Sequence, residues 1–222
     1  MKMAERTIRV TGKGNIAVKP DMIRLTISQS GLKKDYADAI KDSAEKKAKL
    51  TDALTAVGFT KQDLKTLRFN VDTKYEYRED KDKTRRRHFV GYEFSHRMKL
   101  DFDNDNKLLG RVLRALVKCE GKPEFTIAFT VKNPDSAKNE LLGEAVKDSM
   151  AKARVLTSAA GVSLGEIKSI DYSWSEMEIY SRPLGDDVMY GMCCEEESGP
   201  ELDIEADDIK LSDTVTVIWG IE

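Results

Sequence analysis

The sequence predicts an α+β fold, in which a mostly antiparallel sheet of long strands packs against two long helices and one short helix. In several segments apolar and polar residues alternate, which is the period of a strand with one buried face. Between them lie segments whose apolar residues recur every three or four positions, which is the period of an amphipathic helix. The 222 residues are predicted to form a single domain with an acidic loop at 181–205.

The first half of the chain begins with two predicted strands, at residues 7–11 and 23–28. A helix follows, from an N-cap near Asp35 to a glycine stop at Gly58. Two long strands come next, TLRFNVDTKYEY and the segment from Val90 to Phe102. The polar segment between them, REDKDKTRRR, predicts a hairpin loop.

The second half contains a second set of predicted elements. Asn133 at the N-cap and Pro134 at the first helical position mark the start of a long helix, and Gly161 marks its end. In order, the predicted elements are a short helix at 103–118, a strand at 125–131, the long helix, a strand containing Ile170, Tyr172 and Trp174, and a last strand at 215–221.

Two helical segments resemble each other. The segment beginning IKDSAEKKAKL at Ile40 is similar to the one beginning VKDSMAKARVL at Val146, and each is followed by a strand. The similarity indicates either an internal helix-strand duplication or two helices that obey the same amphipathic pattern.

The motif Gly12-x-Gly14 invites comparison with phosphate-binding loops. Such loops lead directly into a helix whose N-terminus holds the phosphate. Here the glycines are followed by Pro20 and Asp21 and then by another strand, so the pattern favours glycines at a bulge or tight bend. No nucleotide site is predicted.

The three cysteines are too few and too scattered for a disulfide framework. Cys193 and Cys194 are adjacent in the acidic segment GMCCEEE, and they form a candidate thiol or metal site. Acidic neighbours disfavour the thiolate, and a zinc site needs about four ligands, so two ordinary loop thiols are the favoured interpretation. We predict no metal and no cofactor.

The two histidines, His88 and His96, fall in the apolar phase of one strand and are expected on one face. Their separation of eight residues spans about 25 Å at about 3.3 Å per residue, too far to share a metal. They are interpreted as partly buried or interface residues. No catalytic triad or carboxylate pair can be assembled, and we predict that the protein is not an enzyme.

Two charged segments have opposite signs. Arg85, Arg86 and Arg87 form a basic cluster, whereas the segment 186–205 is acidic. Both are typical of solvated loops, and an alternative is that they attract each other between subunits. The long middle strands, joined through the arginine cluster, are therefore the candidate assembly surface.

The net charge of -2 argues against a dedicated nucleic-acid binder. No apolar run approaches the roughly 20 residues that span a bilayer. The N-terminal MKMAERTIRV has no apolar signal region, which predicts a cytoplasmic protein as given, or a periplasmic or cell-envelope protein if a signal was removed.

Several segments, in their order and spacing, resemble the SIMPL-domain family, which includes bacterial periplasmic and outer-membrane immunogenic proteins. They are VTGKGNIAVKPDMIRLTI, TLRFNVDTKYEY, GYEFSHRMKL, KLLGRVLRALV, AVKDSMAKARVLTSAAGVSLGEI and DIKLSDTVTVIWGI. The resemblance implies an α+β fold in which Gly12, Gly14, Pro20 and Asp21 are structural hairpin residues. It supplies no catalytic residues.

The resemblance also implies homo-oligomers, in some members large rings, and links to oxidative-stress tolerance in bacteria and to kinase-associated signalling in animals. We therefore expect a non-enzymatic protein that assembles with itself or with a protein partner, related to a stress response. The alternative is a thiol- or metal-dependent stress protein that uses Cys193 and Cys194. The acidic loop departs from the family and is treated as a variable segment.

Overall fold

The computed structural model describes residues 6–79, 85–172, 179–181 and 206–222. In chain order the elements are β1 (Thr7–Val18), β2 (Met22–Lys33), α1 (Tyr36–Thr55), β3 (Leu64–Glu79), β4 (Arg85–Asp103), α2 (Asn106–Lys118), β5 (Glu124–Thr130), α3 (Pro134–Ala160), β6 (Leu164–Asp171), β7 (Tyr180–Ser181) and β8 (Ile209–Ile221). The long antiparallel strand pairs, two long helices and one short helix confirm the predicted α+β class. Trp174 and the acidic segment 182–205 lie outside the described residues.

The chain divides into two compact units. Of the described residues, the terminal unit contains 6–21, 130–172, 179–181 and 207–222. The central unit contains 22–79, 85–129 and Ala206. The two similar helices lie in different units, α3 in the terminal unit and α1 in the central unit. An internal duplication is not confirmed, because any amphipathic helix that covers a sheet meets the same pattern.

Helix boundaries follow the local signals in the sequence. The Asn133 side chain accepts a hydrogen bond from the Ser136 amide at 3.1 Å, and Pro134 begins α3 as predicted. Gly161 ends that helix with φ of 67°, a left-handed conformation that favours glycine. Asp105 caps α2 by accepting from the amides of Lys107 and Leu108, so this helix begins three residues later than predicted.

The terminal unit is a three-stranded antiparallel sheet in the order β1-β8-β6, covered by α3. β1 pairs with β8 along its whole length, from Thr7 opposite Gly220 to Val18 opposite Ile209. Alternate residues of β8 are buried against the helix. The buried residues of α3 recur every fourth position and are mostly small: Ala137, Leu141, Ala145, Ser149, Ala153 and Thr157.

Gly12 and Gly14 lie in the middle of β1, directly beneath α3. A Cβ added at Gly12 would lie 2.0 Å from the carbonyl oxygen of Ala145, and one at Gly14 would lie 2.2 Å from that of Leu141. Both distances are far below contact distance, and the obstructing atoms are helix backbone. The two glycines are therefore required by the close approach of helix and strand, and not by a bulge or bend.

The predicted hairpin at Gly12, Gly14, Pro20 and Asp21 is wrong. β1 pairs with β8 and β2 pairs with β4, so the two strands belong to different sheets. Pro20 and Asp21 form the connection at which the chain leaves the terminal unit. Asp21 is held there by its amide, which donates to the Thr130 carbonyl at 3.2 Å, and by its carboxylate, which accepts from the Lys132 amide at 2.8 Å.

In the central unit the strands lie in the order β3-β4-β2-β5, and α1 and α2 contribute to its core. β2 pairs antiparallel with β4, from Met22 opposite Asp103 to Lys33 opposite Tyr92. The core contains Ile23, Leu25 and Ile27 from β2, Met98 and Leu100 from β4, and Leu50, Leu109, Val112, Leu116 and Phe129 from the other elements.

His96 is buried in this unit, whereas His88 is half-buried. The His96 Nε2 lies 2.9 Å from the Thr66 hydroxyl, and the ring packs edge-on against Phe69. The prediction that both histidines share a face is wrong. His96 lies opposite Phe69 and His88 opposite Glu76, seven positions along β3, because a bulge at Val90 shifts the register.

We expect Gly12→Ala to lower the free energy of unfolding by about 1–3 kcal/mol, since the new methyl group would force α3 away from β1. Gly143→Ala is the matched control. Gly143 is exposed on α3, where an added Cβ meets no atom within 4 Å, so alanine is expected to stabilise by about 0.5–1 kcal/mol. Denaturant unfolding of both variants checks this; a Gly12→Ala variant as stable as the wild type would contradict it.

Burial, together with the positive charge of Lys47, lowers the pKa of His96. The unfolded chain therefore takes up this proton first, and the folded state loses stability as the pH falls below about 6.5. We expect the free energy of unfolding to drop more between pH 7.5 and 5.5 in the wild type than in His96→Phe. Urea unfolding at the two pH values measures the difference, and equal drops would rule out this role for His96.

Candidate assembly surface

β4 extends beyond the sheet body because it is longer than β2. Its 19 residues run from Arg85 to Asp103, but β2 accompanies it only as far as Tyr92. Between Arg85 and Gly91 the described partner of β4 is β3, from Lys74 to Glu79. We call this two-stranded segment, residues 74–79 and 85–91, the ribbon.

An aromatic row runs along one face of the ribbon. Tyr75 lies opposite Phe89, with ring centroids 5.6 Å apart. Phe89 packs edge-on against Tyr92 at 5.3 Å, and Tyr92 against Tyr36, the first residue of α1, at 5.5 Å. These rings remain accessible to solvent, since Phe89 is 49% exposed and the neighbouring Tyr77 is 69% exposed. A contiguous exposed apolar surface of this kind is typical of an interaction site.

Arg85, Arg86 and Arg87 are exposed and lie on β4, each opposite a residue of β3. The predicted loop at 78–87 is therefore too long: the strands reach Glu79 and resume at Arg85. The side chains of the ribbon are largely exposed to solvent, so its strands have the polar composition of a loop. The Arg87 guanidinium lies 3.7 Å from the centre of the Tyr75 ring, within the range of a cation–π interaction.

The opposite face of the ribbon, together with the adjoining residues of β3 and β4, is charged. Lys74 Nζ donates to Glu93 Oε2 at 2.9 Å, and this hydrogen bond raises the pKa of Lys74. Arg78 pairs with Glu76 at 3.0 Å. Arg78 also lies directly opposite Arg86 in the strand register, and Asp72 lies directly opposite Glu93. Like charges in directly opposed positions destabilise an antiparallel pair.

Among the described strands, β3 lies at the edge of its sheet. Over Arg68–Glu79 it pairs with β4 along one side, and no strand of the described residues pairs with its other side, where backbone donors and acceptors lie. From Lys65 to Arg78 its side chains are exposed or half-buried. The sequence pattern correctly predicts a strand here, but the predicted apolar phase of Leu67, Phe69, Val71, Tyr75 and Tyr77 does not mark a buried face.

The other sequence candidates give no second site within the described residues. Cys193 and Cys194 lie outside those residues, and Cys119 is a buried free thiol at the end of α2. In the described part of the chain no group of three or more His, Cys, Asp or Glu residues could hold a metal ion. No helix described there is long and apolar enough to cross a membrane.

The composition and spacing of the sequence do not predict the ribbon, because the ribbon depends on the unequal lengths of β2 and β4. One signal was available. Aromatic residues recur along the distal half of both middle strands, at Tyr75, Tyr77, Phe89 and Tyr92. Aromatic residues are enriched at interfaces, so this concentration of rings indicates a contact surface.

Comparisons with known proteins identify relatives. The chain is 30% identical over 163 residues to the 26 kDa periplasmic immunogenic protein of Brucella melitensis, a match that covers 73% of this chain and 65% of that protein. It is 23% identical over 168 residues to the uncharacterized protein YggE of Edwardsiella ictaluri, covering 76% of this chain and 68% of the relative. The chain thus spans slightly less than two thirds of the Brucella protein.

A crystal structure of an uncharacterized conserved protein from Listeria innocua aligns with 98% of this chain and 93% of its own, at 10% identity and a TM-score of 0.21, too low to support any argument about the fold. The SIMPL family model, described as a protein of unknown function (DUF541), matches residues 8–219. That match takes in nearly every described helix and strand, from β1 to β8. The chain therefore belongs to the SIMPL family.

Proposed function

We propose that this chain works without catalysis, by assembling with itself, and that the ribbon is its contact surface. The observation that carries the proposal is the exposed aromatic row bounded by Arg87 on a strand pair that projects beyond the sheet body. Tyrosine, phenylalanine and arginine are enriched at protein interfaces, where burial of their large side chains supplies binding energy.

The geometry of the ribbon supports this use. A two-stranded ribbon has little core of its own, so its side chains lose solvent only when another surface covers them. The rings of Tyr75, Phe89 and Tyr92 already pack edge to edge, so a partner meets a largely ordered surface. Less conformational entropy is then lost on association than with separate mobile side chains.

For the physiological setting we propose the periplasm or cell envelope and a role in a stress response. The description of the Brucella relative as periplasmic supports the location. Membership of the SIMPL family, with the stress link that the resemblance implies, is the support for the role. A protein partner in place of a second copy is the alternative occupant of the ribbon.

We expect the triple change of Arg85, Arg86 and Arg87 to Glu to lower the mass of the assembly in solution. It removes the cation from the Tyr75 ring and changes the charge of the ribbon by six. Light scattering of the wild type and the variant, each with and without reductant, measures the effect. Retention of the wild-type mass by the variant would exclude the arginine cluster from the contact.

The matched control is the triple change of Lys107, Arg111 and Arg114 to Glu. These residues are exposed on α2 in the same unit, and the change in net charge is equal. We expect the control to keep the wild-type mass. A monomeric wild type would overturn the proposal, and a wild-type assembly that dissociates with reductant would favour the thiol alternative.

A further inference from the structure

The charges along the edge strand β3 alternate in sign. Asp72, Lys74, Glu76 and Arg78 occupy every second position, so all four project from one face of the strand. β3 pairs with β4 without an extra residue of its own from Arg68 to Glu79, because the second bulge lies on β4. Its outward edge is therefore a regular strand across these four charges.

The order of these charges is antisymmetric about Tyr75. When two copies of β3 align antiparallel with Tyr75 opposite Tyr75, Asp72 faces Arg78 of the second copy and Lys74 faces its Glu76. Two-fold symmetry repeats both pairs, so the strands meet with four opposite-charge pairs. We propose that β3 of one chain pairs in this register with β3 of a second copy; this inference rests on the proposed function.

Neighbouring registers form fewer opposite-charge pairs. When a two-fold axis relates two edge strands, residues directly opposite each other lie on the same face of the sheet. The axis therefore passes midway between the two copies of one residue, and that residue defines the register. An axis at Lys74 sets Lys74 against itself and Asp72 against Glu76. At Glu76, it sets Glu76 against itself and Lys74 against Arg78.

An axis at Thr73 pairs Asp72 with Lys74 of the second copy, but it sets Arg68 against Arg78. With an axis at Tyr77, Glu76 pairs with Arg78 of the second copy, but Asp72 and Lys74 face none of the four charges. Tyr75 is thus the position at which all four find opposite charges.

The pairing also compensates the like-charge positions within each chain. Asp72 lies beside Glu93, and Arg78 lies beside Arg86. Across the proposed contact the order in one row becomes Glu93, Asp72, then Arg78 and Arg86 of the second copy. Two negative charges meet two positive charges, so attraction between the chains offsets the repulsion inside each chain.

The other face of the same contact is aromatic. The two Tyr75 rings lie side by side at the axis, and each already packs against its own Phe89. The row Phe89, Tyr75, Tyr75, Phe89 then crosses the contact without a polar interruption. Tyr77, the most exposed of the ribbon aromatics, lies over Thr73 of the second copy.

The first experiment tests the register by disulfide cross-linking. Tyr75→Cys is made in the full chain with Cys119, Cys193 and Cys194 changed to Ala, so that the new thiol can react only with its equivalent. Residues directly opposite in an antiparallel pair have Cα atoms about 4.5–5.5 Å apart, within disulfide range. We expect a covalent dimer on mild oxidation, seen by non-reducing electrophoresis.

Tyr77→Cys in the same background is the control. Its thiol faces position 73, so the two equivalent thiols are displaced by four residue steps, about 13 Å along the strand. Tyr77→Cys alone should remain uncross-linked, whereas a mixture with Thr73→Cys chains should form a covalent dimer. Cross-linking of Tyr77→Cys alone would overturn the register.

The second experiment tests the charges. Asp72→Arg and Arg78→Asp each create two like-charge pairs across the contact, and each is expected to weaken association about tenfold or more. Asp72→Arg relieves the position beside Glu93, whereas Arg78→Asp relieves the position beside Arg86 but gives up the ion pair with Glu76. An equal mixture of the two variants restores every opposite-charge pair and should recover the wild-type mass.

The outcomes separate the two proposals. A wild type that is monomeric by light scattering overturns both the proposed function and the strand pairing. An associating wild type whose Tyr75→Cys variant fails to cross-link, or whose charge variants fail to complement each other, overturns the pairing alone. The ribbon would then meet another surface or a different protein.

Discussion

The hydrogen-bonded pairing of β4 supports most of the central unit. Over Tyr92–Asp103 this strand pairs with β2 on one side and largely with β3 on the other, and its alternate side chains enter the core. Because β2 ends at Lys33, the same strand continues as one half of a ribbon. One continuous strand thus carries both a buried half that stabilises the unit and an exposed half that is available for contact.

The terminal unit depends on a different constraint, the close approach of α3 to β1. The small residues along α3 and the two glycines of β1 allow backbone to meet backbone. Ser149 Oγ and the Asp148 carboxylate then bond to main-chain groups of β1, at Val10 and Lys13. Small side chains therefore stabilise this contact, because they let the helix backbone pack directly against the strand backbone. In the central unit, large apolar side chains fill the space between the elements instead.

The ribbon is stable enough to form but is incompletely satisfied as a single chain. Cross-strand aromatic contacts and the Arg87–Tyr75 interaction favour it, whereas Asp72 beside Glu93 and Arg78 beside Arg86 oppose it. Edge strands commonly carry charges that discourage unwanted pairing. Here the alternation of signs along β3 discourages most registers and favours one, so the same charges supply both protection and specificity.

The sequence by itself determined the α+β class and the order of elements, with caps such as Asn133 and Gly161, because these depend on residues close together in the chain. The tertiary structure decided which strands pair: β1 with β8 and not with β2, and β4 beyond the end of β2. It also decided why Gly12 and Gly14 are glycine, and why Arg85 to Arg87 lie on a strand. Those features depend on contacts between distant residues, such as Gly12 with Ala145, which local patterns do not record.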